Sequence, residues 1–338
     1  MTSTTLSEFS GFVAGHIGLH FPTERWADLE RGVQSAMREF GYTDAEKCVR
    51  WLMSAPLSRQ QIEILAGNLT VGETYFFRER RAFEVLAEKI LPELVEQRRD
   101  GERHLRLWSA ACCTGEEAYT LAIVVQQAIP HLKDWQVTIL GTDLNPRFLQ
   151  KASAGVFGEW SFRDAPPWLK DRYFRRTENG RYQIAPALRQ MVRFEQLNLA
   201  ADSYPSLLTD TNAMDVIFCR NVLMYFDPAQ ARKVVEQLRR SLVDGGWLAL
   251  SATETSAMVA GQFAPVNFNG AILYQKAELK PAPVNPLPVE IPVSVPVVVE
   301  PVPEPPVVPP SARELANEGR LAEALAAADK LVRSEEHT

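Results

Sequence analysis

Short apolar runs alternate with longer helical patterns through the middle of the chain, from about residue 83 to residue 251. The runs lack polar alternation, which is typical of strands that are buried on both faces. An Asn269-Gly270 pair predicts a hairpin over residues 265–276. The predicted strands cover residues 105–110, 136–142, 214–219 and 247–251, with another near Phe194. A chain with this alternation is expected to fold as an α/β protein, with a doubly wound parallel sheet covered on both faces.

The N-terminal region carries helical patterns instead. Apolar residues from Trp26 to Phe40 recur three and four positions apart, which places them on one helix face. Ser58 and Gln61 fit a capping box at the start of another helix. We expect an all-helical N-terminal domain over residues 1–80, which either covers a substrate site or only packs as a bundle.

An insert interrupts the alternation at about residues 156–193. From Trp160 to Arg193 it has eight basic and three acidic residues, a net charge of +5 in a chain of net charge −6. It is also rich in aromatic residues, and an Asn179-Gly180 pair predicts a tight turn within it. The insert is either a solvated excursion held by salt bridges or a docking surface for an acidic protein.

Charge and cysteine content disfavour several classes of protein. A net charge of −6 argues against a nucleic-acid binder that relies on bulk positive charge. The four cysteines form no C-x-x-C pair and no zinc spacing, so we expect reduced, buried thiols and no metal site. No leader pattern begins the chain, and no apolar run approaches a membrane span. We therefore expect a cytoplasmic protein without membrane insertion.

Polar residues follow the predicted strands, at the edge where an open parallel sheet binds its ligand. The loop after the first strand has one glycine, Gly115, and lacks the pattern that brings backbone close to a pyrophosphate. Glu116 and Glu117 place negative charge where a phosphate would otherwise bind. Asp143 ends the second strand, where a carboxylate can accept both hydroxyls of a ribose. Together these features favour S-adenosylmethionine, an adenosyl ligand with an amino group and a sulfonium but no phosphate.

No histidine lies in these loops, so the sequence offers no imidazole base there. A carboxylate substrate needs none, because a pKa of about 4.3 leaves it ionised at neutral pH. Its reaction depends instead on alignment and desolvation. A guanidinium can hold and aim a carboxylate, and Arg78 and Arg220 are the candidates.

Four segments carry a specific resemblance to a known family. They are residues 72–79 (GETYFFRE), 108–119 (WSAACCTGEEAY), 141–145 (GTDLN) and 218–226 (FCRNVLMYF). In this order they resemble the chemoreceptor glutamate methyltransferase (CheR) family, over roughly residues 1–276. The resemblance implies a Rossmann-like methyltransferase domain over residues 81–276 that uses S-adenosylmethionine. It also implies a helical N-terminal domain and a small antiparallel β-subdomain at the insert.

The resemblance assigns roles to individual residues. Arg78 matches a position near the transferred methyl group and is expected to orient the glutamate, and Tyr225 matches a tyrosine that lines the site. Glu117 matches the acid that holds the amino group, and Asp143 matches the ribose ligand. The residues expected to contact S-adenosylmethionine or its product S-adenosylhomocysteine are Thr74, Arg78, Glu117, Asp143, Asn198, Leu199, Arg220 and Asn221. Gly72 departs from the Asn of many members, so a contact there is lost or made by backbone.

The implied substrate is the set of cytoplasmic helices of a methyl-accepting chemoreceptor, whose glutamates become methyl esters. Some members bind a pentapeptide at the receptor C-terminus through a longer loop than residues 177–182, so we expect no such tether here. A catalytically weak adaptor that binds receptors is one alternative, which the retained ligand-contacting residues disfavour. A second alternative is a small-molecule methyltransferase. The helical domain and the basic insert argue against it, because both suggest a macromolecular substrate.

Composition changes after residue 276. Twelve of the 23 prolines lie between Pro281 and Pro310, and no Phe, Trp or Tyr follows Tyr274. We expect a proline-rich linker over residues 277–310 and a partial tetratricopeptide-like helical tail over residues 311–338. A single repeat cannot bury its apolar face. Family members with a C-terminal tetratricopeptide array resemble those of the Wsp surface-sensing pathway, which suggests a Wsp-type receptor as substrate.

Overall fold

α-Helices make up the N-terminal region in the computed structural model, which describes residues 1–254, 259, 261–277, 315 and 320–326. They are α1 (Ser3–Ile17), α2 (Trp26–Glu39), α3 (Ala45–Met53) and α4 (Arg59–Leu69). Ser58 and Gln61 form the predicted capping box at the start of α4. The helices bury an apolar core of their own, which includes Phe9, Leu29, Val49 and Leu65. The predicted helical N-terminal region is confirmed.

The described strands form one large and one small sheet. In chain order they are β1 (His104–Ala110), β2 (Gln136–Asp143), β3 (Val156–Phe157), β4 (Phe174–Arg176), β5 (Tyr182–Ile184), β6 (Val192–Gln196), β7 (Met214–Phe218), β8 (Leu242–Ala249), β9 (Ala264–Phe268) and β10 (Ala271–Gln275). The large sheet has the order β6-β2-β1-β7-β8-β10-β9. Its first five strands pair in parallel, and β10 and β9 add the antiparallel hairpin predicted from Asn269-Gly270.

Helices cover the large sheet because its strands are apolar on both faces. In β7, Val216 and Ile217 are both fully buried, yet they belong to apolar clusters on opposite faces, as successive strand residues must. The helices that follow the N-terminal region are α5 (Arg80–Val85), α6 (Leu91–Gln97), α7 (Glu116–Ala128), α8 (Pro146–Ala154), α9 (Trp168–Tyr173), α10 (Pro186–Met191) and α11 (Pro228–Ser241). A π-helical turn, Leu86–Ile90, joins α5 to α6. The predicted Rossmann-like α/β fold is confirmed.

The strand order reverses at β1, which has β2 on one side and β7 on the other. Ser109 of β1 is in register with Gly141 of β2 and with Phe218 of β7. The carboxyl ends of these three strands therefore lie at the same edge of the sheet. In open α/β sheets this switch point is where ligands bind.

The insert forms the small antiparallel sheet, in the order β3-β5-β4, as predicted. Phe76, from the segment that joins α4 to α5, packs among aromatic rings of the insert. Its ring centroid lies 4.9 Å from that of Phe157 and 5.0 Å from those of Phe162 and Phe174. Its backbone N–H also donates to the carbonyl of Ser161 at 2.9 Å. The insert therefore holds the segment that carries Thr74 and Arg78.

All four cysteines are buried and free, as predicted. No helix among the described residues is long and apolar enough to cross a membrane. The chain divides into two units, Met1–Pro281 and Ala282–Thr338, and in the second unit residues 321–326 are helical. Almost all of the predicted linker and most of the predicted tail lie outside the described residues.

Candidate active site

A cavity of about 490 Å³ lies at the switch point of the large sheet. It is lined by the loops after β1, β2, β6 and β7, by the segment between α4 and α5, and by residues near the end of α1. Its volume is that of a small-molecule site. The residues predicted for the site all line it, namely Thr74, Arg78, Glu117, Asp143, Asn198, Leu199, Arg220, Asn221 and Tyr225. Their individual roles stay predictions.

Asp143 ends β2, and backbone N–H groups hold its carboxylate. Oδ2 accepts from the N–H of Cys113 at 2.9 Å, and Oδ1 accepts from the N–H of Asn145 at 2.8 Å. Burial raises the pKa of Asp143 to about 6, although these two hydrogen bonds oppose the shift. Each carboxylate oxygen can accept more than one hydrogen bond. Both oxygens can therefore also receive a ligand hydroxyl.

The loop between β1 and α7 turns sharply because three of its residues have left-handed backbone conformations. The angle φ is 61° at Ala111, 51° at Cys113 and 94° at Gly115. A side chain at Gly115 would also collide with α8, since a Cβ there would lie 2.8 Å from the Cβ of Ala152. This position therefore requires glycine, and the resulting turn aims the N–H of Cys113 at Asp143.

The two glutamates at the start of α7 have different surroundings. Glu117 lines the cavity. Its Oε1 accepts from Ser109 Oγ at 2.8 Å, and its Oε2 lies 3.3 Å from Arg220 Nη1. Burial raises the pKa of Glu117, and the charge of Arg220 opposes the shift. Glu116 instead accepts a hydrogen bond from Ser161 of the insert at 2.8 Å. Of the two adjacent glutamates, Glu117 therefore lines the cavity, whereas Glu116 is bonded to the insert and does not line it.

Arg220 follows β7 and is buried, with 1% of its side chain exposed. Besides pairing with Glu117, it donates from Nη2 to the backbone carbonyl of Arg78. Its guanidinium carbon lies 5.1 Å from the ring centroid of Phe83 and 5.9 Å from that of Phe218. Arg220 therefore connects α7 to the segment that carries Arg78 through Nη1 and Nη2, while its buried Nε has no hydrogen-bond partner among the described residues. This favours Arg78, of the two candidates, as the arginine that aims a substrate.

Arg78 lines the cavity and is half-buried. Its Nη1 donates to the backbone carbonyl of Glu73 at 2.7 Å, and its guanidinium carbon lies 5.7 Å from the ring centroid of Tyr75. In the described part of the chain it forms no ion pair with a carboxylate. A carboxylate that enters the cavity can therefore form an ion pair with Arg78.

Gly72 stands where the resemblance leads us to expect asparagine in many proteins, and a side chain there would require the ring of Phe148 to shift. A Cβ at Gly72 would lie 2.7 Å from Cζ of Phe148. Phe148 lies in α8 and itself lines the cavity. Its ring therefore occupies the space that an asparagine side chain would need.

Tyr225 ends a short 3-10 turn, Leu223–Tyr225, that follows β7. Its carbonyl accepts from the N–H of His20 at 2.8 Å. Its ring centroid lies 5.5 Å from the guanidinium carbon of Arg25. Contacts from the N-terminal helical region therefore hold the tyrosine at the cavity wall.

Asn198, Leu199 and Asn221 line the cavity from the loops after β6 and β7. The side-chain Oδ1 of Asn198 accepts from the N–H of Ala200 at 2.9 Å, which fixes the first of these loops. Leu199 is buried and adds apolar surface. Asn221 has a left-handed backbone, with φ of 58°, which asparagine tolerates better than most residues.

Sequence reasoning missed cavity residues that come from outside the strand loops. His20 and Arg25 lie between α1 and α2, and Phe148 lies in α8. The strand loops carry no histidine, but the N-terminal region packs against Tyr225 and brings His20 to the cavity wall. No local spacing marks these residues, since only tertiary packing places them there.

The cavity fits the predicted cofactor. Asp143 and Glu117 supply carboxylate acceptors, which suit the hydroxyl and amino groups of S-adenosylmethionine, and side chains such as Leu199 supply apolar surface for its adenosyl ring. The chemistry of the lining therefore agrees with the sequence prediction.

Comparison with known proteins gives a consistent set of matches. The family model described as "CheR methyltransferase, SAM binding domain" matches residues 72–271. A chemotaxis protein methyltransferase of Borreliella burgdorferi is 29% identical over 257 residues, which cover 75% of this chain and 89% of that protein. Chemotaxis protein methyltransferase 2 of Vibrio cholerae is 36% identical over 219 residues, which cover 65% of this chain and 74% of that protein. A chemotaxis protein methyltransferase of Vibrio parahaemolyticus is 30% identical over 285 residues, which cover 81% of this chain and 99% of that protein.

Proposed function

The chain belongs to the CheR methyltransferase family, with S-adenosylmethionine as its cofactor, and on that premise we propose that it methylates glutamate side chains of a chemoreceptor. The products are glutamyl methyl esters, which adjust receptor signalling. The proposal depends on one observation at the cavity wall. The guanidinium of Arg78 has no carboxylate partner among the described residues. A glutamate side chain of the substrate supplies that partner.

The cavity residues divide the work between cofactor and substrate. S-Adenosylmethionine supplies a methyl group that is bonded to a positively charged sulfur. A carboxylate oxygen can accept this methyl group, which leaves S-adenosylhomocysteine. Asp143 accepts the ribose hydroxyls, and Glu117 holds the amino group. Arg78 binds and orients the substrate carboxylate, which is ionised at neutral pH and needs no base. Tyr225 shapes the space in which the two meet and excludes water from it.

The mouth of the cavity suits a protein substrate better than a small molecule. Val71 and Met224 line the cavity and yet are 56% and 59% exposed. Exposed apolar side chains at the rim of a cavity favour a partner that covers them. An amphipathic receptor helix that presents a glutamate to Arg78 covers Val71 and Met224 with its neighbouring apolar side chains.

The basic insert supports docking on an acidic receptor. Five of its arginines are exposed and form no ion pair with another described residue: Arg172, Arg175, Arg176, Arg181 and Arg189. An excursion held by salt bridges would have these charges paired. The unpaired charges favour the alternative, an electrostatic docking surface.

The proposed receptor belongs to a Wsp-type chemosensory pathway in the cytoplasm and is bound without a C-terminal pentapeptide tether. The short connection between β4 and β5 supports the absence of a tether, since Thr177 donates its N–H to the Arg181 carbonyl at 2.8 Å and closes a tight turn. Titration calorimetry with a receptor C-terminal pentapeptide tests this, and we expect no binding. Tight binding would contradict it.

The activity is tested by incubating the protein with a receptor cytoplasmic fragment and S-adenosylmethionine that carries a labelled methyl group. We expect label on the receptor that is released by mild base, as an ester requires. Calorimetry with S-adenosylhomocysteine separates the enzyme from a catalytically weak adaptor. An enzyme binds this product, whereas absence of binding would favour the adaptor.

A further inference from the structure

Glu254 is a buried carboxylate outside the cavity lining, and five hydrogen bonds converge on it. Its Oε1 accepts from the N–H groups of Val222 at 2.6 Å and Leu223 at 2.7 Å. Its Oε2 accepts from the N–H of Asn221 at 2.9 Å. The N–H and Oγ of Ser251 add bonds to Oε2 at 3.0 Å and 2.7 Å. The side chain is thus saturated with donors.

Three of these donors are successive backbone N–H groups, which requires an unusual backbone. Asn221 has φ of 58°, whereas Val222 has φ of −124° and ψ of −45°. Successive N–H groups in such a turn form a concave nest that binds an anion. A left-handed residue other than glycine persists where its surroundings fix it. Here the carboxylate of Glu254 is the anion that fixes it.

The hydrogen-bond partners of Glu254 in the described part of the chain are these donors alone. Among the described residues, Glu254 forms no ion pair with a lysine, arginine or histidine, and 3% of it is exposed. Four of its five hydrogen bonds come from backbone N–H groups, which can only donate. The nest therefore needs acceptor oxygens at both positions of the side chain.

One residue of the cavity wall lies in the nest, and another lies in the turn that follows it. Asn221 belongs to the nest, and Tyr225 ends the 3-10 turn that begins at Leu223. Both line the cavity, whereas Glu254 does not. A change at Glu254 therefore acts on Asn221 and Tyr225 through the backbone of residues 221–223.

We propose that Glu254 is a positioning residue, whose two carboxyl oxygens hold the loop after β7 so that Asn221 and Tyr225 keep their places at the cavity wall. The proposal rests on the proposed function and adds to it a residue that acts without touching cofactor or substrate. It also explains why a left-handed asparagine is tolerated at the cavity.

The test compares Glu254→Gln with Asp227→Asn. Glutamine keeps the shape of the side chain but replaces one acceptor oxygen with an NH2 group that faces backbone donors. Asp227 is a matched control because it also accepts from two backbone N–H groups, at 2.9 Å from Ala229 and 3.0 Å from Gln230. It caps α11 and does not line the cavity.

For Glu254→Gln we expect about tenfold weaker binding of S-adenosylhomocysteine, the effect of losing one hydrogen bond to a charged group. We also expect a lower kcat and displaced amide resonances of residues 221–223. Asp227→Asn should leave affinity and kcat unchanged, since asparagine caps a helix about as well as aspartate. Affinity and kcat in Glu254→Gln that equal those of Asp227→Asn would overturn the proposal, because Glu254 would then only stabilise the fold.

Ser251→Ala keeps the test decisive if Glu254→Gln does not fold. It removes only the Oγ donor at 2.7 Å, so a smaller loss of affinity in the same direction is expected, and no loss would contradict the proposal. Binding of S-adenosylhomocysteine is measured without receptor. A wild-type protein that binds this product but methylates no receptor would refute the proposed function while leaving the test of Glu254 intact.

Discussion

Arg220 and Glu117 form a buried ion pair at the cavity, with 3.3 Å between Nη1 and Oε2 and with 1% and 15% of their side chains exposed. The pair also reaches the carbonyl of Arg78 through Nη2. A buried charge that loses its partner destabilises a protein more than the pair itself stabilises it. The two residues are therefore expected to behave as one unit.

Arg220→Ala should lower the free energy of unfolding by about 3–5 kcal/mol, because it leaves Glu117 buried without a cation. Adding Glu117→Gln removes that unpaired charge and should recover part of the loss. Urea unfolding followed by tryptophan fluorescence measures both variants. Additive losses in the double variant would contradict the coupling of the two residues.

Binding of S-adenosylhomocysteine should depend on pH through Asp143. Its pKa of about 6 lies above its ordinary value of 3.8, so in the free protein this group lowers the free energy of unfolding as pH rises from about 4 through 6. The ionised form accepts ligand hydroxyls. At pH 5 about one tenth of the sites are ionised, so the Kd at pH 5 should be about ten times that at pH 7.5.

Calorimetry across this pH range checks the prediction, with proton release expected on binding near pH 6. Asp143→Asn is the control, and it should bind weakly at every pH. A Kd for the wild-type protein that stays constant between pH 5 and pH 7.5 would show that Asp143 does not accept from the ligand.

Gly72→Ala should destabilise the protein by about 1–3 kcal/mol, because its Cβ would overlap with the ring of Phe148. Gly11→Ala is a matched control in α1, where nothing lies within 4 Å of the added Cβ, and it should not destabilise. Combining Gly72→Ala with Phe148→Leu should restore stability. Thermal unfolding measures all three, and a Tm of Gly72→Ala equal to that of the wild-type protein would contradict the contact.

Met224→Ser should raise the KM for the receptor fragment by about tenfold, since a methionine side chain that the receptor covers contributes apolar burial. The affinity for S-adenosylhomocysteine should change little. Ile272→Ser provides the control, because Ile272 is 50% exposed but lies on β10, away from the cavity. Equal KM values for the two variants would argue against docking at the cavity mouth.

Features set by neighbouring residues were predictable from the sequence. The capping box at Ser58 depends on residues three apart, and the hairpin at Asn269-Gly270 depends on a single turn. The switch-point loops were also found, because strands that are apolar on both faces predict a parallel sheet and its carboxyl edge. Asp143 and Glu117 follow from that edge.

Features set by packing between distant segments were not predictable in the same way. His20 reaches the cavity because its N–H bonds to Tyr225, and Phe148 reaches it because Gly72 leaves room for the ring. Glu116 and Glu117 are adjacent in sequence, yet only the fold decides that one faces the insert and the other faces the cavity. Glu254 lies 33 residues from Asn221, and no local pattern links them.

Mass spectrometry of a receptor cytoplasmic fragment, after incubation with S-adenosylmethionine and either the wild-type protein or Arg78→Ala, tests the central claim most directly. We predict methyl groups on glutamate side chains with the wild-type protein. The rate with Arg78→Ala should fall by about 10²-fold, since the substrate carboxylate is no longer aligned. Methyl groups on other residues, or an equal rate with Arg78→Ala, would contradict the claim.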